Sequence, residues 1–177
     1  MNFEIVVPKE ARSLRKQFIN KFADKTLPQY RHVMHHGDFY GANTHKGCLW
    51  EVIRPYNIIS FGKTIEILKD IDELFVIWDD VRFCFDGKVP KSPVLKFDGK
   101  ELSKLLAEDC DRPKSQHTLP SDIYVFDSNL TFHITITHIT IDGLGRVCMT
   151  SKEKSDDFGI SRAFEEFIKE TELGKLY

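Results

Sequence analysis

No apolar run in this chain approaches the ~20 residues that a helix needs to cross a bilayer. Its start, Met1-Asn2-Phe3-Glu4, lacks the basic stretch and apolar core of a signal peptide. Cytoplasmic residence without a membrane partner is therefore expected. Cysteines are few: Cys48, Cys84, Cys110 and Cys148 lie about 26 to 38 residues apart, and none belongs to a CxxC pair. Structural zinc favours closely spaced ligand pairs, because one turn must present two of them. The cysteines read instead as reduced, small hydrophobes, and no metal is expected. Also missing are the GxSxG, P-loop and GxGxxG signatures, and Gly143-Leu144-Gly145 is a hairpin turn, not a phosphate cradle. No cofactor and no catalytic residue is predicted. Without linkers or internal repeats, the 177 residues are read as one domain, 1–177.

What is present fits a folded chain. Hydrophobic residues make up 41% and charged residues 29%, values far from those of disordered segments. The 14 phenylalanines predict an aromatic-rich core. Residues 3–7 read as a short strand, and Pro8 suits the first turn of a helix, where its missing N–H is harmless. Ala11, Leu14, Phe18, Ile19 and Phe22 then repeat at helical spacing, with Lys9, Arg12, Arg15, Lys16 and Lys21 mostly on the other side. Residues 48–54 predict a helical turn with Leu49, Trp50 and Ile53 inward, 63–71 a helix, and 74–78 a buried strand. Asp98 is a good N-cap with Glu101 three residues on, and Phe97 and Leu102 occupy the positions of a hydrophobic staple.

Further on, 122–127 reads as a strand and 130–137 alternates strictly. Leu130, Phe132, Ile134 and Ile136 take the core phase, and Thr131, His133, Thr135 and Thr137 predict a polar opposite face. Residues 146–151 return as the hairpin partner. Ile160, Ala163, Phe164, Phe167, Ile168 and Leu173 mark a C-terminal amphipathic helix. This order predicts an α+β fold: a mainly antiparallel sheet with an N-terminal and a C-terminal amphipathic helix packed on it.

Chemistry-bearing residues fall in three groups. The net charge of −2 gives no sign of a direct nucleic-acid partner. Its distribution is uneven: residues 1–69 hold 11 Lys/Arg against 6 Asp/Glu, and residues 70–127 hold 8 against 13. Asp79, Asp80, Asp86, Asp109 and Asp111 of the acidic middle are the candidate partner-binding face, if folding keeps it apart from the basic third. His133 shares the polar strand face with threonines, where an imidazole suits acid–base work. His138 falls in the core phase and is expected to donate to a backbone carbonyl. Finally, the period-free stretch 24–47 contains His32, His35, His36 and His45 with Asp38, Tyr40 and Asn43. The i,i+4 pair His32/His36 lacks the Glu of a zinc-protease motif, which favours a polar contact surface over a metal site. A small hydrolase or nucleic-acid-processing enzyme built on His133 and this loop is the alternative to a pure binding role.

The run Leu119-Pro120-Ser121-Asp122-Ile123-Tyr124-Val125-Phe126-Asp127, then Thr137-His138, then Gly145-Arg146-Val147-Cys148, resembles a recurring tail of small bacterial proteins. Leu49-Trp50-Glu51 and Phe75-Val76-Ile77-Trp78-Asp79 are similar to the middle segment of the same group, so the resemblance spans about residues 48–150. Some members are immunity proteins that neutralise secreted toxins, as in contact-dependent growth inhibition. The chain departs from the group at Ile139, where many relatives carry Glu. The resemblance implies a cytoplasmic, non-catalytic protein that binds a cognate protein toxin one to one. It carries over no catalytic residues and no cofactor.

Overall fold

The computed structural model describes residues 3–31, 49–54, 56–78, 94–110, 122–141, 145–152, 162–166 and 169. Its strands are β1 (Glu4–Ile5), β2 (Asn57–Ile59), β3 (Leu74–Trp78), β4 (Val94–Phe97), β5 (Ile123–Phe126), β6 (His133–Ile141) and β7 (Gly145–Thr150). They form one sheet in the order β1-β4-β3-β5-β6-β7-β2, and every neighbouring pair is antiparallel. The helices are α1 (Pro8–Phe22), α2 (Phe61–Leu68) and α3 (Gly99–Cys110), with a 3₁₀ turn at Leu49–Val52 and a helical segment at 162–166. The fold is α+β, as the order of elements predicts. None of the described helices is long and apolar enough to cross a membrane.

Both faces of the sheet are covered, so the molecule has three layers. β3 shows why: all five of its residues are buried, and a strand enclosed on both faces reads as a continuous apolar run. Phe75 and Ile77 join the cluster under α1, the 3₁₀ turn and Phe164, whereas Leu74, Val76 and Trp78 join the cluster under α2 and α3. The sheet edges are β1 and β2, only two and three residues long. Such short edges offer little template for unwanted strand pairing.

Helix α1 begins as expected, with Pro8 in its first turn, and buries Ala11, Phe18 and Phe22. Phe18 is the centre of its contact with the sheet, its ring 5.0 Å from Phe126, 6.1 Å from Tyr124 and 5.1 Å from Phe22. In the 3₁₀ turn, Leu49, Trp50 and Val52 are buried, and Ile53 follows them inward. The Trp50 ring lies 6.0 Å from that of Phe164 in the C-terminal helical segment, tilted to it by 58°.

On the opposite face, α2 starts two residues earlier than the spacing predicts, because the Ser60 hydroxyl caps it by accepting from Lys63 N at 3.2 Å. Asp98 caps α3 by accepting from Lys100 N at 2.8 Å, while Phe97 and Leu102 share the core cluster as the staple requires. Ser103 Oγ donates to Ile65 O at 3.1 Å and ties the two helices together. Their junction depends on Gly99. Its N–H donates to Ile71 O at 3.0 Å, and a Cβ there would lie 2.0 Å from Leu68 O and 2.4 Å from Ile71 O.

One expectation about the β5–β6 hairpin needs correction. Leu130 is not a strand residue: it sits in the turn at φ 52° and packs toward the α1 layer. The Asp127 carboxylate organises that turn, accepting from Thr131 N at 2.7 Å and Thr131 Oγ1 at 2.9 Å. The polar face of β6 is enclosed, with His133, Thr135 and Thr137 all fully buried. Their polarity is satisfied internally, as when Thr137 Oγ1 donates to Val147 O at 3.0 Å.

Candidate functional site

His133 lies at the start of β6, under α1. The Phe22 ring meets it edge-on at 4.8 Å and Phe18 at 6.3 Å, and Thr135 Oγ1 lies 3.5 Å from its Nδ1. With no exposed surface, this imidazole is a core side chain and cannot meet a substrate in this conformation. The period-2 pattern put His133 on the correct face of β6, but the pattern does not record that α1 covers that face.

His138 departs from its expected place more sharply. From Ile136 to Thr140, β6 uses four residue steps where β7 uses only two, from Cys148 to Arg146. Bulges of this kind re-aim side chains. Thr137 stitches the bulge, its Oγ1 donating to Val147 O and accepting from Ile139 N at 3.2 Å. His138 thereby leaves the core: its side chain is 48% exposed and reaches Asp122, which is 5% exposed. One carboxylate oxygen, Asp122 Oδ1, accepts from both the His138 backbone N–H at 2.9 Å and the ring Nδ1 at 3.0 Å.

A carboxylate only accepts, so Nδ1 carries the hydrogen and Nε2 is left on the other side of the ring. The hydrogen bond that the His138 ring donates to Asp122 favours the imidazolium and raises its pKa above the ordinary 6.5. Burial opposes that rise, the charge of Asp122 adds to it, Arg146 opposes it and Glu51 adds to it more weakly. The arrangement is chemically able to accept or donate a proton at Nε2 with the ring held in one orientation. Sequence reasoning read Asp122 as a strand-end residue and missed the pair. The available signal was the isoleucine phase, which changes between Ile136 and Ile139 where the bulge sits.

Asp109 is 3% exposed near the end of α3, which removes its carboxylate from any solvent-facing acidic surface. Asp79, Asp80, Asp86 and Asp111 lie outside the described residues, as do His32, His35, His36 and His45. Among the described residues, no three His, Cys, Asp or Glu side chains gather as a metal site.

The fold puts the basic helix α1 on one face of the sheet and the more acidic α2–α3 surface on the other. α1 carries Lys9, Arg12, Arg15, Lys16 and Lys21 against Glu10 alone. Across the sheet, α2, α3 and their adjoining residues expose Glu66, Asp70, Asp72, Glu73, Asp98, Glu101 and Glu108 against Lys63, Lys69, Lys100 and Lys104. A groove of about 330 Å³ on that face is lined by Lys63, Glu66, Lys69, Asp70 and Lys152, charges of both signs. Comparison of the chain with protein-family models, with curated proteins and with solved structures finds no match.

Proposed function

We propose that this chain is a non-catalytic, cytoplasmic binding protein that neutralises a bacterial toxin, a nuclease, by tight one-to-one association. The resemblance over about residues 48–150 motivates the reading, and the placement of charge carries it. Glu66 of α2 and the exposed carboxylates Asp70, Asp72, Glu73, Asp98, Glu101 and Glu108 of the acidic middle lie across the sheet from the basic helix α1. Nuclease surfaces that grip phosphates are basic, and an acidic face speeds their capture and sets orientation. Glu66, Asp70, Asp72, Glu101 and Glu108 are the proposed contacts, together with Asp79, Asp80, Asp86 and Asp111. Co-expression with a toxin encoded immediately upstream tests the reading. Cells carrying both genes grow if it holds; death at the rate of cells carrying toxin alone overturns it.

A second reading, a small hydrolase or nucleic-acid-processing enzyme, is favoured by the Asp122–His138 pair. That chemistry now rests on His138, since His133 is enclosed. It requires turnover that His138→Ala abolishes while the fold is kept.

A further inference from the structure

We propose that the outer face of α1 is a sequence-independent binding surface for the phosphate backbone of nucleic acid. This activity goes beyond toxin capture and uses the opposite side of the molecule. Steps of 100° per residue place Lys9, Arg12 and Lys16 within about 60° of arc, with Lys9 and Lys16 about 120–180° from the buried Ala11, Phe18 and Phe22 and Arg12 on the flank. Ser13 and Asn20 lie within about 40° of Lys9 on the exposed side and add uncharged hydrogen-bonding groups, while Gln17 lies nearer Glu10. Lys25 extends it, its Nζ donating to Asn20 Oδ1 at 3.3 Å. From Lys9 to Asn20 the stripe is about 16 Å long, against one phosphate charge per ~1.7 Å of duplex axis.

Three of the lysines across the sheet are paired, whereas among the described residues Lys69 and Lys100 are not. Lys63, Lys104 and Lys96 pair with Glu66, Glu108 and Glu73. Among the described residues, Lys9, Arg12 and Lys16 have no carboxylate within ion-pair reach. Glu10 acts on Lys96, whose raised pKa comes chiefly from the Glu73 hydrogen bond with a smaller part from Glu10. Asp24, beside Lys25, is engaged by Thr26 N at 2.8 Å and Thr26 Oγ1 at 2.6 Å. Unpaired cations keep their full attraction for phosphate.

The net charge of −2 does not cancel this stripe. Three packed layers put the outer surfaces of α1 and of α2–α3 about 30 Å apart, and charges are screened beyond about 8 Å at physiological salt. A ligand on α1 therefore meets the local charge, not the sum.

Fluorescence anisotropy of two labelled duplexes of about 20 base pairs and unrelated sequence, with the full chain at about 20 to 200 mM KCl, tests the proposal. Three to four phosphate contacts give equal affinities for the two duplexes and a log K against log salt slope of about −3. Triple neutralisation, K9Q/R12Q/K16Q, is expected to weaken binding at low salt at least tenfold and flatten the slope by about 2 to 3. Single R12Q flattens it by about 1, which covers the case of a triple variant that misfolds. K63Q/K69Q/K104Q on the opposite face leaves binding unchanged. The proposal is overturned by no binding at low salt, by a slope shallower than −1, or by equal loss in the opposite-face variant. Tighter binding to polyglutamate or to phosphatidylserine vesicles than to DNA overturns it as well.

Discussion

Removing the Asp122 carboxylate is expected to cost far more than removing the imidazole it holds. In Asp122→Ala, the His138 backbone N–H at 2.9 Å loses a charged acceptor inside the bulge. A hydrogen bond to a charged partner contributes about 1.5–3 kcal/mol. The ring contact at 3.0 Å adds about 0–1 kcal/mol, the surface value, because the imidazole is half exposed. Asp122→Ala should therefore cost about 2–4 kcal/mol, lowering Tm by roughly 5–15 °C in a chain of this size. His138→Ala removes only the ring contact and should cost about 1 kcal/mol or less. The sign of the pH effect follows from the raised His138 pKa. A pKa raised on folding gives stability that is full below the unfolded value near 6.5 and is lost as pH rises through the folded value. Urea unfolding of wild type, D122A and H138A at pH 5.5 and 8.5 reads both effects, with the H138A deficit larger at the lower pH. NMR titration should place the His138 midpoint above 6.5, and Asp122→Asn should lower it. The reasoning fails if D122A costs under 1 kcal/mol, if H138A costs as much, or if the midpoint lies at or below 6.5.

Gly99→Ala drives a Cβ into Leu68 O and Ile71 O, and backbone carbonyls cannot swing aside. It should cost about 3 kcal/mol or more, the upper end of overpacking losses, and thermal unfolding within 2 °C of wild type would contradict the close α2–α3 junction. Phe18→Ala removes the ring that covers Phe126, Tyr124 and His133, and should cost about 3–5 kcal/mol in urea unfolding. The same variant should speed modification of His133 by diethyl pyrocarbonate, which in the wild type should react slowly because α1 encloses the ring; rapid reaction in the wild type would refute the enclosure.

Features set by neighbouring residues were legible in the sequence, and features set by distant ones were not. Helix α1 announces itself through Pro8 and the Phe18/Phe22 spacing, and α3 through Asp98 and the Phe97–Leu102 staple. Strand β3 is visible because enclosure on both faces forces five apolar residues in a row. β2 and β4 were missed because runs of three or four residues are too short to show a period. The threonines of β6 read only as a polar face, since the sequence does not show hydroxyls turned to backbone carbonyls such as Thr137 Oγ1 to Val147 O at 3.0 Å. The Asp122–His138 pair joins residues 16 positions apart through a bulge, so neither residue signals it alone. Charge was half legible. The basic first third and the acidic middle are plain in the sequence, whereas the packing of α1 on one face of the sheet and of α2, itself from the first third, beside α3 on the other is not.

Titration calorimetry between the purified chain and a catalytically dead form of the toxin encoded immediately upstream tests the proposed function most directly. Toxin neutralisation requires a stoichiometry of one to one, a Kd of about 1 nM or below, and affinity that weakens as salt screens the acidic face. Charge reversal at Glu66, Asp70 and Asp72 should slow association, while neutralising Lys9, Arg12 and Lys16 should leave it unchanged. Absence of a complex at micromolar concentrations would contradict the account.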